Sequence, residues 1–326
     1  MSPFRSADPT SRIRRRLLAA GAAAGASTFL PSALWAATTK NDAAQGAPSA
    51  ATSAMRTRAI PSTGEQLAVM GLGSSGTFSY ASGQRDALRQ VLEQFVAHGG
   101  EMVDTSPTYG NAETVIGELA RDTDLRDELF MATKVHIRGR AEGKQQMATS
   151  AERLGHPIDL MQIHNFVDLE TQWATLKARK AAGQYRYIGI THYLTRTFER
   201  LEQEMRDKAL DFVQFNYSIM TPEAEKRLLP LAADRGIAVI VNRAFNDGQF
   251  FRAVKGQALP GYAKEIGIES WARFALKYVL AEPAVNVVIP ATGDPKHLID
   301  NMGAGTGPLP DKAMRQRMRR TVAELA

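Results

Sequence analysis

From Gln66 onward the chain alternates between two rhythms, short unbroken apolar runs of strand length and longer stretches with apolar positions at helical spacing. The runs are residues 67–72, 102–104, 129–134, 158–163, 187–191, 212–216, 237–241 and 285–289. Runs of this kind belong to strands buried on both faces, as in a parallel sheet covered by helices. Helical patterns fall between them at 85–97, 112–119, 171–182, 196–205 and 222–235. Repeated βα units carrying eight strands predict an α/β fold, a closed (β/α)8 TIM barrel in a single domain. Gly99-Gly100, Gly183 and Gly236 stand just beyond helix ends, where a left-handed residue is wanted. Residues 60–65, with Ser62-Thr63-Gly64, predict a short hairpin closing the barrel floor. The segment 246–267 breaks the rhythm and reads as a lid or specificity loop over the mouth, with a surface insertion as the plainer alternative.

Polar residues at the ends of the runs carry the chemistry. Asp104, Lys134 and His164 each fall at or just past the end of a separate run, and Tyr109 lies five residues into the first of these loops. In a parallel barrel the C-terminal strand ends form one mouth, so the four groups converge. A phenol ordinarily titrates near 10, so to give up a proton near neutrality it needs a neighbouring cation. Lys134 supplies that cation, Asp104 fixes the lysine, and His164 faces the substrate oxygen as a hydrogen-bond donor. Each residue alone has an ordinary reading: Asp104 and Asn111 as turn or cap residues, Lys134 as a solvated strand end, His164 as a satisfied core histidine. Their joint occurrence at successive strand ends predicts a site that delivers a proton to a carbonyl oxygen.

Composition narrows the class. The chain has 326 residues with 44% hydrophobic and 23% charged content, ordinary values for one folded domain. Its +6 charge resides mostly in residues 1–37, where five arginines face a single aspartate, which leaves about +2 for the remainder. No nucleic-acid partner is expected, and Arg315, Arg317, Arg319 and Arg320 read as a solvated helix face. The absence of cysteine excludes disulfides, a zinc-thiolate site and a cysteine nucleophile. His98, His136, His156 and His297 lack ligand spacing, so no metal is expected.

At the N-terminus, Arg14-Arg15-Arg16-Leu17-Leu18 precedes a weakly apolar Ala/Gly-rich stretch, Pro31 and small residues at 33–37. This order resembles a twin-arginine export signal over residues 1–37, cleaved near Ala36 or Ala37, which implies the export machinery as a partner and a periplasmic destination. Residues 38–55 then read as a flexible linker and 56–326 as the barrel.

The stretch from Asp104 to Glu113, Asp-Thr-Ser-Pro-Thr-Tyr-Gly-Asn-Ala-Glu, followed by Gly117, resembles the most diagnostic segment of the aldo-keto reductases. The resemblance continues in order through Ala132-Thr133-Lys134, Gln162-Ile163-His164-Asn165, Gly189-Ile190-Thr191-His192, Gln214, and Ile289-Pro290 leading to Asn301, covering roughly 66–302. It implies NADPH-dependent reduction of an aldehyde or ketone to an alcohol, with NADH as the other possible cofactor and a small carbonyl compound as substrate. Tyr109 would be the general acid within a catalytic set of Asp104, Tyr109, Lys134 and His164. Thr191, His192 and Gln214 would hold the nicotinamide carboxamide, and Thr292 and Asn301 the adenosine half.

The chain departs from the family pattern at three places. His192 replaces an asparagine. Asn242-Arg243-Ala244-Phe245 replaces a segment whose tyrosine stacks on the nicotinamide, and Arg243 would instead approach the pyrophosphate. Ala291 and His297 stand where NADP-preferring members place cations for the 2′-phosphate, so phosphate recognition falls to His297 when protonated, or to Lys296 or Arg243. Two rival functions remain open: a cofactor-binding redox sensor or accessory subunit with little turnover, and a barrel isomerase or aldolase using Lys134 as a Schiff base.

Overall fold

The computed structural model describes residues 54–79 and 84–325. The signal assignment at 1–37 and nearly all of the linker therefore lie outside the described residues.

Two antiparallel strands, β1 (Thr57–Ala59) and β2 (Gln66–Ala68), form the expected hairpin. Gly64, at a φ of 76°, closes its turn, and its N–H donates to the Ile60 carbonyl at 2.8 Å. The barrel strands are β3 (Leu72–Gly73), β4 (Met102–Asp104), β5 (Phe130–Val135), β6 (Leu160–His164), β7 (Tyr187–His192), β8 (Phe212–Asn216), β9 (Ala238–Asn242) and β10 (Val285–Val288). They are parallel and adjacent in chain order, and bridges Met70–Val288 and Gly73–Ala291 close β3 onto β10. The eight-stranded closed barrel read from the sequence is therefore present.

Strand geometry explains what points where. With a period of two, Phe130, Ala132 and Lys134 of β5 face the barrel axis, while Met131, Thr133 and Val135 face the helices. The same parity turns Leu160, Tyr187, Phe212 and Ala238 inward, where they join Met102, Phe130, Ile240, Val287 and Ile289 in one buried cluster. Ile60 and Leu67 of the hairpin complete that cluster from below. The lower interior is thus apolar and plugged, and the inward residues further along the same strands are polar: Asp104, Lys134, Gln162, Thr191 and Gln214.

The helices are α1 (Arg85–Ala97), α2 (Ala112–Asp122), α3 (Arg140–Leu154), α4 (Leu169–Ala181), α5 (Phe198–Asp207), α6 (Leu228–Arg235), α7 (Gln249–Ala253), α8 (Trp271–Leu280), α9 (Pro295–Met302) and α10 (Lys312–Leu325). Gly117 of the diagnostic stretch has a packing role, since a Cβ there would stand 2.2 Å from the Arg153 carbonyl oxygen of α3. Glu113 is buried and accepts from Thr133 Oγ1 at 2.7 Å, which braces β5 from behind, next to Lys134. Among the described residues no helix is long and apolar enough to cross a membrane.

Several expectations are corrected. The run 67–72 is not one strand: its first part pairs with β1 in the floor hairpin, and its last part joins the barrel sheet through the Met70–Val288 bridge and the pairing of Leu72 and Gly73 with β4. The segment 246–267 is not a bare loop; it contains α7 and a short 3-10 helix, Gly261–Ile266, and buries Phe250 and Tyr262. The arginines of α10 are not merely solvated. Arg315 reaches Glu225 at 2.8 Å and Glu282 at 3.1 Å, and the Arg317 guanidinium lies 4.0 Å from the centre of the Tyr262 ring. The helix docks through these charges because it offers few apolar side chains, Met318 and Val322 being its buried ones.

Candidate active site

The polar upper interior opens into a pocket of about 500 Å³ at the C-terminal strand ends, lined in part by Asp104, Tyr109, His164, Thr191 and Gln214. Lys134 lies beneath it, fully buried. Its Nζ donates to Asp104 Oδ1 at 2.5 Å and to the Thr105 carbonyl at 2.8 Å. The same cation lies 5.0 Å from the centre of the Tyr109 ring. Burial alone would lower the lysine's pKa, but the Asp104 carboxylate and then Tyr109 outweigh it, so the ammonium titrates above its ordinary value and stays charged.

The other carboxylate oxygen is equally occupied. Gln162 and Gln214 each donate a side-chain N–H to Asp104 Oδ2 at 3.0 Å. Gln214 Oε1 in turn accepts from Thr191 Oγ1 at 3.0 Å and from Asn242 Nδ2 at 3.2 Å. A continuous chain of polar contacts thus runs from the ammonium across β4, β6 and β8 to β7 and β9. Gln162 was not anticipated from the sequence. The available signal was a polar residue at an inward position within an otherwise apolar run.

His164 is buried, with its ring edge-on to Tyr109 at 5.9 Å and to His136 at 5.0 Å between centroids. Burial, followed by the charges of Lys134, His136 and His192, pushes its pKa down to about 2. The imidazole is therefore neutral near pH 7. Its Nδ1 lies 3.2 Å from Ser106 Oγ.

The residues expected to hold a cofactor separate into two groups. Thr191, Gln214 and Arg243 line the pocket. Arg243 adopts a φ of 53°, pairs with Asp247 at 3.0 Å and lies 4.0 Å over the ring of Tyr193, another lining residue. His192 does not line this pocket. It is the residue after Thr191 on a strand, so it turns to the opposite side, packing against Phe166 and Tyr193 with Nδ1 accepting the Leu194 N–H at 3.2 Å. Burial, then Arg196 and Arg200, pushes its pKa down to about 4. Thr292, His297 and Asn301 also lie outside the pocket lining. They follow Ala291, a lining residue, at the start of and along α9, with Thr292 and Asn301 buried and His297 largely exposed, its Nδ1 3.9 Å from Asp294.

Three lining residues present buried oxygens that lack a hydrogen-bond partner: Ser74 Oγ, Asn165 Oδ1 and Asn242 Oδ1. Native proteins leave few such atoms, and at a pocket wall a ligand's donor is one group that would satisfy them. Two amide oxygens suit a primary carboxamide, whose NH2 needs acceptors, so the residues present fit a nicotinamide end. Neither Asn165 nor Asn242 was anticipated as a binding residue.

The aldo/keto reductase family profile matches residues 69–318. The aldo-keto reductase ausK of Aspergillus calidoustus is 25% identical over 293 residues, spanning 73% of this chain and 74% of its own. The NADH-specific methylglyoxal reductase of Escherichia coli is 26% identical over 231 residues, 61% of this chain and 70% of its own. Among solved structures, the Klebsiella pneumoniae aldo-keto reductase in complex with NADPH superposes with a TM-score of 0.69 at 21% identity, covering 83% of this chain and 95% of that one. The holo form of a Bacillus halodurans aldo-keto reductase gives 0.66 at 20% identity, with 83% and 97% coverage. The chain belongs to the aldo/keto reductase family. It is accordingly an oxidoreductase of a family named for its carbonyl substrates.

Proposed function

We propose that this protein reduces an aldehyde or ketone to an alcohol with a nicotinamide cofactor, and that Tyr109 is the general acid. The carrying observation is the buried Lys134 ammonium, held at 2.5 Å by Asp104 and lying 5.0 Å from the Tyr109 ring. When bound, the reduced nicotinamide supplies the hydride. The Tyr109 hydroxyl gives its proton to the carbonyl oxygen, and the Lys134 charge stabilises the phenolate left behind. Asp104 holds the ammonium in place, and neutral His164 donates a hydrogen bond to the same oxygen. Asn165, Asn242 and Thr191 offer partners for the carboxamide. A Schiff-base role for Lys134 is disfavoured because the raised pKa keeps the amine protonated and Nζ is engaged by Asp104 and Thr105.

NADPH is the cofactor favoured by its presence in the Klebsiella relative. The Escherichia coli relative, by contrast, is NADH-specific. Ala291 offers no charge to a 2′-phosphate and Arg243 is already paired with Asp247, which leaves the exposed Lys296 and His297 of α9 as the candidate partners. NADPH preference is therefore expected to be modest, since both side chains are solvent-exposed. The decisive experiment follows cofactor oxidation with a panel of aldehydes, ketones and quinones, using NADPH and NADH between pH 6 and 8. Steady turnover is expected. Tight cofactor binding with no turnover on any carbonyl would instead establish the sensor reading.

We further propose that residues 1–37 are a twin-arginine signal that delivers the folded barrel, already loaded with cytosolic cofactor, to the periplasm. The adjacent arginines, the weakly apolar Ala/Gly segment and the lack of cysteine support this reading. Lysines in place of Arg14, Arg15 and Arg16 should leave the precursor in the cytoplasm, as cell fractionation would read. Undiminished periplasmic yield would refute the route.

A further inference from the structure

We propose that Ser106 is a positioning residue that sets the tautomer of His164, so that Nε2 carries the imidazole proton into the pocket. This deepens the reductase reading and rests on it only for the catalytic consequence. A neutral imidazole has one proton for two nitrogens, and the hydrogen bond made at one nitrogen decides where that proton sits. His164 is neutral because burial and the nearby Lys134, His136 and His192 all oppose a second proton. Its Nδ1 faces Ser106 Oγ at 3.2 Å, which leaves Nε2 for whatever enters the pocket. A carbonyl oxygen can only accept, so Nε2 must be the protonated nitrogen and Nδ1 must receive a proton from elsewhere.

The contacts of Ser106 provide that donor. The side chain is fully buried and has one proton and two lone pairs to place. The Thr108 backbone N–H donates to its oxygen at 3.2 Å, and Thr108 Oγ1 lies 2.9 Å away. If Oγ accepts both the Thr108 N–H and the Thr108 hydroxyl proton, its own proton goes to His164 Nδ1 and every position is filled. The reverse order, with Nδ1–H donating to Ser106 and Ser106 donating to Thr108 Oγ1, also fills every position at the serine. It leaves Nε2 as a bare acceptor facing the carbonyl oxygen, so substrate selects against it. His136 offers no alternative donor to His164, since its own buried Nδ1 lacks a partner and the two rings meet only edge-on. The backbone carbonyl at the same position accepts the Tyr109 N–H at 3.0 Å and closes the turn that presents the phenol, a contact that S106A keeps.

The test uses the full chain labelled with 15N-histidine and reads the His164 tautomer from two-bond 15N–1H correlations, with NADP+ and a non-reducible amide, acetamide, bound as the carbonyl-oxygen acceptor. Wild type is expected to show Nε2–H. S106A should shift His164 toward Nδ1–H or a mixture and lower kcat/KM for carbonyl reduction about tenfold, with the cofactor Kd unchanged. T108A removes the competing acceptor for the serine proton and should keep Nε2–H; its exposed position makes it a safe second variant if S106A is unstable. An Nδ1–H tautomer in wild type, an Nδ1–H shift in T108A, or an S106A protein that loses activity while retaining Nε2–H would each overturn the proposal. Because the tautomer is read without turnover, an Nε2–H result in a protein inactive toward every carbonyl would count against the reductase reading and leave the serine assignment standing.

Discussion

Tyr109→Phe is expected to fold and bind cofactor as wild type does while losing at least ~10²-fold in kcat for carbonyl reduction. Only a hydroxyl is removed, and the ring keeps its edge contact with His164. What disappears is the proton donor beside the buried cation, and no other side chain of the tetrad replaces it. His164 is neutral and would become an anion on giving up its remaining proton, and Lys134 already serves Asp104 and Thr105. Stopped-flow hydride transfer with a reactive aldehyde, together with cofactor titration by fluorescence, separates the two effects. Activity near wild type would remove Tyr109 from the role of acid.

Lys134→Met tests the other half of the pair and is expected to fail in two ways. The Asp104 carboxylate, 2% exposed, would lose the cation paired with it, and breaking a buried pair from one side costs about 3–5 kcal/mol. Chemical denaturation would show that loss, and reduction would fall by at least ~10²-fold because nothing then stabilises the phenolate. Adding Asp104→Asn removes the stranded charge while keeping an oxygen for the amides of Gln162 and Gln214. The double variant should therefore recover most of the stability and none of the rate. Recovery of both would mean that Lys134 only balances Asp104 and takes no part in proton transfer.

Much of this site was legible in the chain because barrel chemistry sits where apolar runs stop. Asp104, Lys134 and His164 mark such stops, and the structure brings all three together beside Tyr109. Other features depend on facts that runs do not carry. The direction of His192 follows from strand parity, which a motif read as a string of letters conceals. Gln162 sits inside an apolar run and looks like an interruption until its inward direction is known. Helix α3 shows no clear apolar stripe because its buried face is made of Gly143, Met147, Ser150 and Leu154, small or polar at half its positions. The break between β2 and β3 was hidden because residues 67–72 are uniformly apolar, and only the partner strand β1 decides where one element ends.

The parity of the strands also bears on how the chain reaches a single folded form. A slip of β5 by one residue against its neighbours would turn Thr133 and Val135 toward the axis and drive Lys134 into the apolar layer under the helices. An ammonium there would compete for Glu113, which already holds Thr133 and Arg153, and Asp104 would keep its charge without its Lys134 partner. In strands as uniformly apolar as these, hydrophobic burial alone discriminates weakly between one register and the next. The ion pair at the top of the barrel adds a penalty to a slipped register, so the two side chains proposed to support proton transfer would also help to choose one strand pairing over the next.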